Sequence, residues 1–258
     1  VTPKTPANAV RASLLERARR DGEDYNRLLI RYAIERLLYR LSVSPHAVDF
    51  VLKGATLFAL WMGKPHRATK DLDLLSRGSP DVDRLVEVFR AIADVDCPED
   101  GMVFEPAGIV GEPIREEARY AGVRVVVPAR LAGAPVKVQV DVGLGDATVP
   151  PPPLVEVTSL LSLPSPRIRA YAPETVVAEK LEAVVQLAIR RGTPIPSELP
   201  IGLSANFAAD VVKLTQWSAF LRRAGGETDL GLADVVADLR GWLWPVLIAA
   251  AVNPEQRS

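Results

Sequence analysis

Apolar and polar positions change period several times along the chain, and each change marks an expected element. Residues 9 to 41 repeat with a helical period, interrupted near Asp21-Gly22, with Leu28, Tyr32, Leu38 and Leu41 as apolar positions of the second half. Arg27, Arg31, Arg36 and Arg40 fall between them, which reads as a solvated basic face or, more sharply, as a ridge that tracks a nucleic-acid backbone. A short helix opened by Gly54 follows, with Leu57, Leu60 and Trp61 at helical spacing and Gly63 as its stop. Lys64, His66, Arg67 and Lys70 make a basic turn, after which DLDLL alternates with period two. Ser79-Pro80-Asp81 reads as an N-cap, a proline in the first turn and an acid. It opens a helix over 80–94 whose stripe is Leu85, Val88, Phe89 and Ile92.

From about 102 to 142 the pattern is that of strands. GVRVVVPARL and PVKVQVDVG flank Ala132-Gly133-Ala134, an expected antiparallel hairpin. In its second strand Val136, Val138 and Val140 share one side and Lys137, Gln139 and Asp141 the other, with Gly143 and Gly145 placed to turn the chain away. Pro150 to Pro153 read as a stiff linker and PSPRIRAYAP as a second one, leading to Pro173-Glu174 and a helix to about Arg191 with Val177, Leu181, Val184 and Ala188 as its stripe. Residues 204 to 251 read as helices whose core stripe includes Phe207, Val211, Leu214, Trp217 and Phe220, then Val235, Val236, Leu239, Trp242 and Leu243.

Composition narrows the chemistry. The chain has 258 residues and a net charge of −1, enough for a sizeable core but without a global positive field, so any RNA contact must be local. Cys97 is the single cysteine, and His46 and His66 are the two histidines, so disulfides and cysteine- or histidine-based metal sites are not supported. The longest apolar run, Trp242 to Val252, is interrupted by Pro245 and too short to span a bilayer, and a reducing cytoplasm is the expected setting.

The chemically distinctive stretch is the one around DLDLL. Leu72 and Leu74 point to a core, so Asp71 and Asp73 share the other face about 7 Å apart. Isolated Asp-x-Asp pairs are commonly solvated strand ends. Here a Gly-led helix precedes the strand, and a hard cation such as Mg²⁺ between the carboxylates would leave open positions for phosphate oxygens. Asp141 is aimed off its own strand in the same way, unless Lys137 merely neutralises it. Lys180 borders the buried stripe of its helix, where it is either a snorkelling lysine paired with Glu179 or Glu182, or a functional cation.

Lys-Gly-x-Thr-Leu at 53–57, Arg-x-Thr-x-Asp-Leu-Asp-Leu at 67–74 and Glu-Lys-Leu-Glu-Ala at 179–183 resemble the AbiEii group of toxins, which includes the MenT toxins, within the polymerase-beta-like nucleotidyltransferases. Family members often carry Gly or Ser where this chain has Ala55; donation from the backbone survives that change. The resemblance implies an α+β fold: a core over 42–150 with a mixed sheet and flanking helices, an N-terminal helical segment over 1–41 and a helical C-terminal domain over 171–258. It implies Mg²⁺ (or Mn²⁺) on Asp71, Asp73 and Asp141, and nucleotide binding by Lys53, Gly54, Ala55, Thr56, Arg67 and Thr69. Lys180 would stabilise charge, alongside Asp71, Asp73 and Asp141 in catalysis. The implied reaction carries NMP from an NTP to RNA, with the tRNA 3′ end as the expected acceptor, in a toxin–antitoxin or abortive-infection system. Its antitoxin would be a separate AbiEi-like protein that need not bind the toxin.

The resemblance breaks once. The family's Asn-Ser-Arg-x-Lys-Asp-x-x-Asp-Leu segment, with another active-site aspartate, is absent between Leu187 and Ala188, where EAVVQL runs straight into AIRRGTPIP. The reading adopted is that the intact protein carries a mobile loop there; loss of the segment would instead leave an inactive nucleotide- or RNA-binding module. Transfer to a protein or small-molecule hydroxyl is the other alternative.

Overall fold

A computed structural model describes residues 5–62, 71–77, 81–114, 122–145, 148, 150–180, 199–224 and 231–252. Two compact units divide the chain, Val1–Glu174 and Thr175–Ser258.

The first unit is built on a mixed sheet. Its strands are β1 (Phe50–Lys53), β2 (Asp71–Ser76), β3 (Met102–Phe104), β4 (Val110–Ile114), β5 (Gly122–Leu131) and β6 (Ala134–Leu144). They run in the order β1-β2-β6-β5-β3, with β4 also pairing with β5. β2 and β6 are parallel, whereas β1–β2 and β5–β6 are antiparallel. The hairpin between β5 and β6 pairs Leu131 with Ala134 across Ala132 and Gly133. Both turn residues have positive φ, 47° and 80°, the mirror-image turn that matches strand twist.

Helices α1 (Pro6–Asp21), α2 (Tyr25–Val43), α3 (Thr56–Met62) and α4 (Val82–Ala93) accompany the sheet. The break between α1 and α2 has a clear cause. Gly22 closes α1 in the left-handed region, and Asp24 opens α2 by accepting from the Arg27 N–H at 3.0 Å. Phe89 of α4 meets Phe50 edge-on at 5.8 Å, on the sheet face opposite Lys53. Leu52, Leu72, Leu74, Val138, Val140 and Val142 line that apolar face and are fully buried, each contributing about 1.5–3 kcal/mol of transfer free energy. α4 is capped by Asp81, which accepts from the Arg84 N–H at 3.1 Å, rather than by Ser79, which lies outside the described residues.

Only the first half of the basic face expected of α2 is solvated, with Arg27 exposed and Arg31 half-buried against Glu23. Arg36 and Arg40 are 1% and 3% exposed, so neither reading of them as surface cations holds. Arg40 donates to both oxygens of buried Asp100, at 2.5 and 3.3 Å, and stacks over Phe104. Arg36 donates to Glu35 at 2.6 Å and to the Pro164 carbonyl at 2.9 Å. Glu35 in turn accepts from the Ser159 hydroxyl and the Leu160 N–H, both at 2.7 Å. Glu35 and Arg36 thus tie the loop at Ser159 to Pro164 onto α2, and each of these buried charges has partners that offset its desolvation.

PSPRIRAYAP is also more than a linker. Its centre forms β8 (Arg167–Arg169), antiparallel to β7 (Leu154–Glu156). Ala170 then makes a parallel bridge to Leu52, and the Tyr171 N–H donates to the Leu52 carbonyl at 2.9 Å, so the segment covers the β1 edge of the sheet. A helix over 173–180, α5, straddles the unit boundary.

The second unit contains α6 (Ala205–Ala209), α7 (Val211–Ala224) and α8 (Leu232–Val252). Its core gathers Ala208, Leu232 and Val236, with Phe207 and Trp217 packed against them. Val211, Leu214 and Trp242, expected in the core stripe, are exposed. Among the described residues no helix is long and apolar enough to cross a membrane.

Candidate active site

The strand register sets five charged residues in one row. Lys53 on β1 lies opposite Asp73 on β2, Asp73 opposite Asp141 on β6, Asp141 opposite Arg124 on β5, and Arg124 opposite Glu112 on β4. Asp71 pairs with Gln139 one step along the same face. Neighbouring strands are about 4.8 Å apart, so the two central carboxylates are close neighbours between two cations.

Asp73 is the most perturbed of them. Its carboxyl is pushed up to about 6, chiefly by burial and then by the negative charges of Asp71 and Asp141. Lys53 and a hydrogen bond from the Ala55 N–H oppose that shift without cancelling it. The Gly54 turn is shaped around this group. Gly54 has φ 74°, and a Cβ there would fall 1.9 Å from Asp73 Oδ2. Leu57, just inside α3, is fully buried and anchors the turn from below, while Trp61 reaches the surface.

Lys53 is seated by two residues that sequence reasoning assigned otherwise or not at all. Its Nζ lies 5.8 Å from the centre of the Tyr171 ring. A Cβ on Gly143 would stand 2.9 Å from that Nζ. Gly143 was expected to turn the chain away; it remains within β6 and makes room for the ammonium, and it is Gly145, at φ 84°, that enters the left-handed region.

Asp141 is held from its other side. Arg124 Nε donates to Oδ1 and Nη2 to Oδ2, both at 2.8 Å, and Gln139 Nε2 donates to both oxygens at 3.3 Å. This bidentate pairing, not Lys137, neutralises Asp141. Arg124 was missed in the sequence, although register arithmetic from the hairpin turn leads to it. Among the described residues no three His, Cys, Asp or Glu side chains gather closely enough to hold a metal ion, so Asp71, Asp73 and Asp141 share a face without forming a closed ligand set. Their chemistry, hard oxygen donors beside a glycine cradle, suits Mg²⁺ or Mn²⁺.

The remaining expected site residues divide in two. Ala55 lies in the turn and Thr56 begins α3. Arg67, Thr69 and the basic turn around them lie outside the described residues, as do the expected helix beyond Lys180 and the junction at Leu187–Ala188. Lys180 is exposed at the end of the described part of α5 and belongs to the second unit, whereas the charged row belongs to the first.

The family model for the nucleotidyl transferase AbiEii toxin of type IV toxin–antitoxin systems matches residues 36–195, more than half of the chain. The chain belongs to the AbiEii family. That match takes in the whole charged row and Lys180, and it runs across the Leu187–Ala188 junction. It makes the chain a nucleotidyltransferase of the toxin class. No curated protein matches the chain. Two crystal structures are similar. One, from H. pylori, is assigned as a nucleotidyltransferase; it is 15% identical, with 84% of this chain and 92% of that one covered and a TM-score of 0.37. The other is JHP933 from Helicobacter pylori, 12% identical, with 84% and 89% covered and a TM-score of 0.38. Likeness at that level adds nothing to the AbiEii assignment, which rests on the family match.

Proposed function

We propose that this AbiEii chain transfers a nucleoside monophosphate from an NTP to the 3′ end of a tRNA, with Mg²⁺ or Mn²⁺ held by Asp71 and Asp73 and, in the complete site, Asp141. The observation that carries the reading is the shared carboxylate face of β2 and β6, with Asp73 half-buried in an excess of negative charge beside the Gly54 turn. A divalent cation bound there would screen the triphosphate and stabilise charge building at the α-phosphate.

The chain's own residues do the rest. Gly54, Ala55 and Thr56 form the turn that lies against the nucleotide, and Gly54 lets that turn approach Asp73 without a clash. Lys53, on the same face as Asp73, supplies fixed positive charge. Arg67 and Thr69 contact the phosphates, and Lys180 neutralises the departing pyrophosphate. The acceptor hydroxyl attacks the α-phosphorus in line: a new P–O bond forms, the α–β bridge bond breaks, and the proton passes to a nearby carboxylate or water. A net charge of −1 confines RNA contact to local basic residues. The antitoxin is a separate AbiEi-like protein that need not touch the toxin, and the setting is cytoplasmic.

The absent Asn-Ser-Arg-x-Lys-Asp-x-x-Asp-Leu segment favours one rival, nucleotide binding without transfer. Incubating the protein with Mg²⁺, total tRNA and each α-³²P NTP separates the readings. Label that RNase removes and that maps to tRNA 3′ ends is the expected result. Label in protein or small molecules would replace the acceptor, and NTP binding without any transfer would establish the inactive module.

A further inference from the structure

Asp141 has the right place for a third metal ligand and the wrong partner. Both of its oxygens accept from the Arg124 fork at 2.8 Å, and Gln139 donates to the same two oxygens. A carboxylate engaged in this way can reach a cation beside Asp73 only by giving up at least one of those bonds. The pair is not locked in the core, since the Arg124 side chain is 35% exposed and that of Asp141 19%. Both groups reach water, so the pair can open without stranding a buried charge. Arg124 stands between Asp141 and Glu112 of β4 in the row, on the same sheet face as Asp73, where an incoming triphosphate would offer it a further anion.

We propose that Arg124 is a positioning residue that parks Asp141 away from the metal in the nucleotide-free protein, so that only Asp71 and Asp73 ligate a cation until the guanidinium exchanges Asp141 for substrate phosphate. This rests on the metal reading above. Its consequence is order: the third carboxylate arrives with the nucleotide, and the metal alone is held weakly by the resting protein. The exchange makes and breaks only hydrogen bonds and ion pairs.

The probe is Mn²⁺ alone, titrated into the full chain without nucleotide and followed by the loss of the free-ion paramagnetic resonance signal, with circular dichroism confirming the fold of each variant. Arg124→Lys keeps the charge but loses the two-pronged fork, and should release Asp141 and tighten Mn²⁺ binding by about fivefold to tenfold, the gain of one carboxylate ligand. Asp141→Asn alone should change affinity by less than about twofold, because the parked group is not a ligand. The double variant Arg124→Lys/Asp141→Asn should lose the gain. Unchanged affinity in Arg124→Lys, a gain that survives in the double variant, or an Asp141→Asn loss as large as that of Asp71→Ala would each overturn the proposal while leaving the metal site standing. If Asp71→Ala itself leaves Mn²⁺ binding intact, the metal reading fails and the parking role fails with it.

Discussion

Gly54 and Asp73 are built against each other: a single added methyl on Gly54 would lie 1.9 Å from Asp73 Oδ2, inside any permissible contact. The turn also sits at φ 74°, where an L side chain adds strain of about 1 kcal/mol. Gly54→Ala should therefore cost about 2 kcal/mol or more in stability and abolish transfer, measured by urea unfolding and by the labelling assay. An active, fully stable Gly54→Ala protein would show that the turn does not bear on Asp73.

Asp73 makes stability depend on pH. Its carboxyl is raised from 3.8 to about 6, so between those values the folded chain holds a proton that the unfolded chain has released. The folded state binds more protons, so this group's contribution is complete below about pH 4 and is lost as pH rises through about 6. Without metal, Asp73→Asn should remove that decline and leave the protein about 1–2 kcal/mol more stable than wild type at pH 7.5, with little difference at pH 4. Urea titrations at the two pH values, in EDTA, check the sign. Divalent metal should stabilise wild type increasingly over the same rise in pH.

Lys53 opposes the upward shift of Asp73 from a seat bounded by Tyr171 and Gly143. Gly143→Ala puts a methyl 2.9 Å from its Nζ and should move the ammonium, raising the Asp73 pKa further. Carboxyl-carbon NMR titration of the two proteins reads this directly; an unchanged or lower Asp73 midpoint would show that Lys53 is not held there.

Buried and surface ion pairs should separate sharply. Asp100 is fully buried and accepts from Arg40 and from the Met102 N–H, so Asp100→Ala leaves an uncompensated Arg40 and should cost about 3–5 kcal/mol. Glu87 pairs with Arg90 on the exposed side of α4, and Glu87→Ala should cost less than about 1 kcal/mol. Chemical denaturation of both variants tests the contrast.

The parts of this molecule legible in the sequence are those whose signal is local. Alternation in DLDLL and PVKVQVDVG places Asp71, Asp73 and Asp141 off the apolar face, and the Ala132-Gly133 turn registers the hairpin. Where partners are distant, the local pattern misleads. Arg36 and Arg40 look like a solvated stripe because Asp100 and the loop at Ser159 to Pro164 lie far away in sequence. β8 has three residues, of which only Ile168 is buried, too few to show a period among prolines. Val211 and Leu214 continue a helical stripe that the small second-unit core does not extend to cover.

The most direct measurement is nucleotidyl transfer by wild type and Asp71→Ala side by side, on tRNA with each labelled NTP and Mg²⁺, after both have been shown to be folded. Transfer by wild type with one or more nucleotides, and none by Asp71→Ala, is the predicted result. Equal transfer by the two proteins would contradict the assignment of the β2 carboxylates as the metal-holding centre.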